Sequence, residues 1–162
     1  MLEQLQYSVD GPGGTGKTYT YRALLVKVRS RGGRTAQSRF EIPPLTSEST
    51  MTNMSKQSGA SKLFRKEKVI IWDEAPMVRQ KTIETVHRSF RDIMDIAKPF
   101  GRKVMVFGGD FRQVLPVVPK STRAEIVNAS LVKSYLRPLM KKIQFTRNMR
   151  AITDPTFSDF LH

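Results

Sequence analysis

Gly11-Pro12-Gly13-Gly14-Thr15-Gly16-Lys17-Thr18 has the composition and spacing of a phosphate-binding loop. Glycines let a backbone turn sharply and aim successive N–H groups inward, and a helix starting at Lys17 would add its positive dipole end to the same point. Lys17 can then reach the β- and γ-phosphates of a nucleoside triphosphate, and Thr18 can ligate magnesium. The nucleotide-holding set is therefore Gly11, Gly13, Gly14, Thr15, Gly16, Lys17 and Thr18, with Asp73 added from further along the chain.

Asp73 and Glu74 directly follow the apolar run Val69-Ile70-Ile71-Trp72, which places two carboxylates at the C-terminal end of a strand, where open α/β sheets bind ligands. In that setting Asp73 can hold magnesium and Glu74 can orient or deprotonate an attacking water. Gly108-Gly109-Asp110-Phe111-Arg112-Gln113 ends a second apolar run in the same way. Gln113 there can contact a γ-phosphate or its water, although a simple turn explains the segment equally well on physical grounds alone. Arg147 and Arg150 follow a further strand and can supply a cation for transition-state charge. Two arginines in so basic a chain do not identify a site by themselves.

The elements that would position these groups are legible from periodicity. Strands are expected at Leu5–Asp10, Lys68–Asp73, Lys103–Gly108 and Lys141–Thr146, all buried or half-buried, with the second and third reading as continuous apolar runs of central parallel strands. Tyr21, Leu24, Leu25 and Val28 recur at helical spacing after the phosphate loop. Ile83, Val86, Phe90, Ile93, Met94 and Ala97 form the stripe of a second helix, ended by Pro99 and Gly101. A third helix is announced by the capping pattern Thr122-Arg123-Ala124-Glu125 and continues through Ile126, Val127, Leu131 and Tyr135. Alternating strands and helices predict an α/β fold with a mostly parallel sheet.

Two places break the rhythm. The first helix is followed by Gly32-Gly33-Arg34 where a parallel sheet should continue, so one strand is expected to be missing there. Loss of a strand from the sheet interior would leave unpaired edges and a marginally stable chain. The stretch Pro43–Ser61 then reads as a long loop with a short helix near Ser58–Phe64. Near the other end, Asp154-Pro155 starts a helix with Phe157, Phe160 and Leu161 on its apolar face, and the sequence stops at His162.

At 162 residues the chain suits one ordinary domain. The absence of cysteine excludes disulfides, thiolate zinc sites and cysteine nucleophiles. No signal-peptide pattern or bilayer-length apolar run is present, so an intracellular, soluble protein is expected. Twenty-eight Lys and Arg against 14 Asp and Glu give a net charge of +14, a field that attracts polyanions. His87 lies between apolar helix positions and reads as structural or solvent-facing rather than as a ligand, Trp72 reads as core, and Phe40 is either a packing residue or a base-stacking one.

Taken in order, Gly11–Thr18, Gly33-Arg-Thr-Ala-Gln-Ser-Arg-Phe40, Trp72-Asp-Glu-Ala-Pro-Met77, Gly108-Gly-Asp-Phe-Arg-Gln-Val-Leu-Pro116 and Asn148-Met-Arg150 resemble the motifs of PIF-type (petite integration frequency) DNA helicases of superfamily one, with a wording similar to the plant branch. The resemblance implies a RecA-like P-loop domain over residues 1–150, the first motor domain, with 151–162 beginning the next segment. It implies ATP and Mg2+ as cofactors, with Lys17, Glu74, Gln113 and Arg150 catalytic, Thr18 and Asp73 holding the metal, Gln113 coupling the γ-phosphate to DNA, and Arg150 serving as arginine finger. It also implies 5′-to-3′ translocation on single-stranded or forked DNA in repair, recombination and telomere maintenance, in the nucleus or the mitochondrion. A catalytically incomplete fragment that binds ATP or single-stranded DNA is the alternative. The family places a strand and a DNA-contacting motif before Gly-Arg-Thr-Ala, where this chain has Gly32-Gly33. It usually has histidine where this chain has Gln37, and the motifs of a second RecA-like motor domain would follow residue 162.

Overall fold

A computed structural model describes residues 6–26, 36–112 and 115–146. Four short runs, two of them continuous apolar stretches, form the strands β1 (Gln6–Asp10), β2 (Val69–Trp72), β3 (Val104–Gly109) and β4 (Met140–Gln144), each within two residues of its expected bounds. Every pairing is parallel, in the order β2-β3-β1-β4. Helices α1 (Lys17–Val26), α2 (Ala36–Arg39), α3 (Gly59–Lys66), α4 (Gln80–Met94) and α5 (Arg123–Asn128) connect them. The predicted α/β parallel sheet is therefore present.

Among the described residues no strand occurs between α1 and β2. The sheet interior nonetheless has no gap, because β1 and β3 are each paired on both sides and only β2 and β4 are edges. The expectation of an interior strand lost from the sheet is thus corrected: a further strand could pair only outside β2 or β4. β4 is also corrected, since only Met140 in it is buried and the next four residues are exposed, as suits a charged edge strand.

The core lies mainly on the α4 side of the sheet. Ile83, Val86, Phe90 and Ile93 of α4 face Ile70, Trp72, Met105 and Phe107. Phe40 fills the space between Phe64, Trp72 and Phe90, with ring centroids 5.2–5.6 Å away, which settles it as a packing residue. Trp72 is buried as expected. Ala97 lies beyond α4, which ends when Asp95 takes a left-handed conformation and its N–H caps the carbonyls of Arg91 and Asp92.

The long Ser- and Thr-rich loop is held by α4. Ser89 Oγ accepts from the Thr52 N–H at 2.8 Å, and the Arg88 guanidinium donates to the carbonyls of Ser47 and Thr50 at 3.1 and 3.0 Å. Its residues are spent on packing and on backbone satisfaction. The short helix expected near Ser58–Phe64 is α3, capped by Ser58 Oγ accepting from the Ser61 N–H.

α5 has the full capping box between Thr122 and Glu125 but ends at Asn128, well short of Tyr135. Ser130 turns extended, pairs with Arg79 in an isolated bridge, and donates its hydroxyl to the Val127 carbonyl at 2.6 Å. Leu131 is then buried from a separate 3-10 turn.

Candidate nucleotide-binding site

The phosphate loop leaves β1 at Asp10 and enters α1 at Lys17, the strand-to-helix setting its chemistry needs. Gly14 and Gly16 have φ of 89° and 85°, left-handed values that a side chain would strain. Thr15 is buried and donates its hydroxyl to the Pro12 carbonyl at 2.9 Å, which braces the turn. Gly13 and Thr18 are exposed at its rim, and Thr18 follows Lys17 in the first turn of α1. The Lys17 ammonium donates to the carbonyls of Gly11 and Pro12, the latter at 3.0 Å.

β3 lies between β1 and β2, so the carboxylate-bearing strand is two positions away from the loop-bearing strand, about 10 Å at ordinary strand spacing. The register pairs Trp72 with Phe107, and Val9 with Gly108, which brings Asp73 and Glu74 to the sheet edge from which the phosphate loop departs. Both carboxylates are exposed. Asp73 Oδ1 accepts from the Glu74 N–H at 3.0 Å, and Glu74 is left-handed, with φ 52° and ψ 34°, at the head of the 3-10 turn Ala75–Met77. A strained non-glycine residue at this edge fits a side chain aimed by its backbone. Beside the loop, an open cavity of about 380 Å3 is lined by Thr15, Gly16, Tyr19, Thr20, the last residue of β4 and the two residues after it.

Three groups that no motif assigned to the site frame it. Asp10, almost wholly buried, accepts from the Phe111 N–H at 3.1 Å and lies 3.5 Å from the Lys142 ammonium, fixing the segment that leaves β3. Arg137 donates to Ser8 Oγ at 2.8 Å and lies over the Phe111 ring at 5.2 Å. Tyr21, read only as an apolar helix position, carries a buried hydroxyl without a hydrogen-bond partner. Burial, then the nearby charges of Asp73 and Glu74, hold its phenol protonated well above the usual tyrosine range. A polar atom at the far end of an apolar side chain leaves no mark in a hydrophobic pattern.

Gln113, Arg147 and Arg150 lie outside the described residues, as do the Gly32-Gly33 junction, the segment 151–162 and the side chains of Leu24, Leu25 and Gln37. His87 is buried, its Nδ1 3.2 Å from the Tyr135 hydroxyl, so of the two sequence readings it is structural and not solvent-facing. Among the described residues no group of three or more His, Asp or Glu could hold a metal. The oxygen donors Thr18 and Asp73 suit instead a magnesium that arrives with nucleotide phosphates, because that ion is commonly held by one or two carboxylates, phosphates and water. Backbone N–H groups, a lysine and a helix N-terminus likewise suit the phosphates.

A parallel sheet with a phosphate loop on one strand and paired carboxylates two strands away, at the same edge, defines a RecA-like P-loop NTPase domain. The PIF1-like helicase profile matches residues 28–159. The chain belongs to the PIF1-like helicase family. No curated protein sequence matches it. Among solved structures, Bacteroides Pif1 bound to single-stranded DNA is similar at 26% identity and a TM-score of 0.74, over 92% of this chain and 40% of that one. Bacteroides Pif1 with ADP-AlF3 and single-stranded DNA has 24% identity and a TM-score of 0.75, over 96% and 41%. Candida albicans Pif1 has 22% identity and a TM-score of 0.77, over 98% and 40%. The chain spans about two-fifths of the length of these Pif1 structures.

Proposed function

We propose that residues 1–150 are the first motor domain of an ATP-dependent DNA helicase, with 151–162 beginning the segment toward a second RecA-like domain. The observation that carries this reading is the shared edge of the phosphate loop and the Asp73-Glu74 pair, with β3 between them, in a chain of the PIF1-like family. ATP with Mg2+ supplies, when bound, the electrophilic phosphorus and part of its charge neutralisation. Lys17, which donates to the Gly11 and Pro12 carbonyls, would turn to the β- and γ-phosphates. Thr18 and Asp73 hold the metal, and Glu74 orients the attacking water and takes its proton. Gln113 reports the γ-phosphate to the DNA-binding surface, and Arg150 acts as arginine finger.

The substrate in this reading is single-stranded or forked DNA, attracted by the +14 charge and traversed 5′ to 3′ during repair, recombination and telomere maintenance in the nucleus or mitochondrion. Bacteroides Pif1 bound to single-stranded DNA, and the similar structure of Pif1 helicases unwinding forked duplex DNA, support the substrate class. DNA-stimulated ATP hydrolysis, compared between the wild-type chain and Lys17→Ala, tests the assignment. Stimulated turnover that collapses in the variant is expected; turnover equal in both would sink it. A second reading is binding of ATP or single-stranded DNA without unwinding, for which the phosphate loop and the +14 charge alone would suffice. Its signature is salt-sensitive DNA binding with no hydrolysis above background.

A further inference from the structure

Tyr21 lies on α1, one turn beyond the phosphate loop, and its ring packs against Val9 and Val106 in a small apolar cluster joined by Val69 and Ile71. Ile70 and Trp72 face the opposite core. Side chains alternate along a strand, so the residue two beyond Ile71, Asp73, continues the row on the Tyr21 side. The register places Asp73 one step past the Trp72–Phe107 pair, level with Gly108. The Tyr21 hydroxyl sits over Gly108, and a Cβ added there would overlap its oxygen. The phenol therefore ends in a slot that Gly108 opens, next to the strand that delivers Asp73.

In this slot the hydroxyl is buried and makes no hydrogen bond. Buried tyrosine hydroxyls ordinarily find a partner, and an unmatched one costs stability, yet nothing in the apolar cluster requires an oxygen. Asp73 has one oxygen engaged by the Glu74 N–H and a second carboxylate oxygen available. We propose that Tyr21 is a positioning residue whose hydroxyl donates to the Asp73 carboxylate when that carboxylate turns to hold nucleotide-bound magnesium. The proposal rests on the assignment of Asp73 as a metal-holding residue. It gives Asp73 a fixed orientation at the moment of binding, as outer partners of ligating carboxylates do elsewhere.

The test compares binding of a fluorescent N-methylanthraniloyl ADP to the 162-residue chain, with saturating Mg2+ and in EDTA, for wild type, Tyr21→Phe, Asp73→Asn and the double variant. Tyr21→Phe should lose about 10-fold in affinity with Mg2+ and nothing in EDTA. Its ligand-free melting temperature should equal or exceed that of wild type, since an unmatched hydroxyl has been removed. In the Asp73→Asn background the same change should have no further effect. The proposal is overturned if Tyr21→Phe binds like wild type with Mg2+, if its loss persists in EDTA or in Asp73→Asn, or if the ligand-free chain is destabilised. Wild-type binding that ignores Mg2+ would remove the underlying assignment of Asp73 as well, an outcome visible without any variant.

Discussion

The residues closest to the phosphate loop are held by sterics as much as by chemistry. Gly108 and Tyr21 share one space, so Gly108→Ala forces the phenol off its rotamer or α1 off the sheet. A loss of about 1–3 kcal/mol is expected, read from urea unfolding. His87 is a second residue whose environment has a measurable consequence. Burial, then the charges of Arg91 and Arg88, lower its pKa from 6.5 to about 4. The unfolded chain therefore takes up a proton that the folded chain refuses between those values. Stability from this group is full above about pH 6.5 and is lost as the pH falls toward 4. Urea midpoints at pH 7.5 and 4.5 should register a loss of about 2 kcal/mol that is missing in His87→Leu. At this scale the phosphate loop and the carboxylate pair were legible because their chemistry demands consecutive residues. Tyr21 and Asp10 were not, because their roles depend on which strand lies opposite.

Elements in this chain are set by their ends. Thr122 and Glu125 satisfy each other's orphan groups at the start of α5, and Thr122→Ala should cost about 1 kcal/mol in chemical denaturation. The same capping pattern was plain in the sequence, whereas the early stop was not. Leu131 and Tyr135 keep helical spacing with Ile126 and Val127, and the helix stops where Gln80 donates to the Asn128 and Ala129 carbonyls and Ser130 bridges to Arg79, contacts between distant segments. α4 is a similar case. Its buried stripe was readable but its stop was not, because Asp95 turns left-handed before the expected breakers Pro99 and Gly101. The stripe carries the aromatic cluster in which Phe90 lies 5.3 Å from Phe64 and 5.6 Å from Phe40. Truncating Phe90 to alanine should cost about 3–5 kcal/mol, again measured by urea unfolding.

Across the whole molecule, the parallel sheet was predictable and the strand order was not. Hydrophobic runs identify strands without saying which are neighbours, and an interior gap inferred from a missing run turned out to be no gap, because β3 crosses into the place beside β1. That crossing separates the phosphate loop from the carboxylates. It leaves β4 as the charged outer strand, with Lys141, Lys142 and Ile143 exposed. One bond made by the residues just past it has a mechanical meaning. The Phe145 N–H donates to the Asp10 carbonyl at 2.7 Å, extending the β1–β4 ladder to the last residue before the phosphate loop. A force on the chain beyond residue 146 therefore has two routes, along the backbone into β4 and across this bond to the entrance of the phosphate loop. In a single-molecule pulling geometry anchored there, the nucleotide site would share the load with the edge strand.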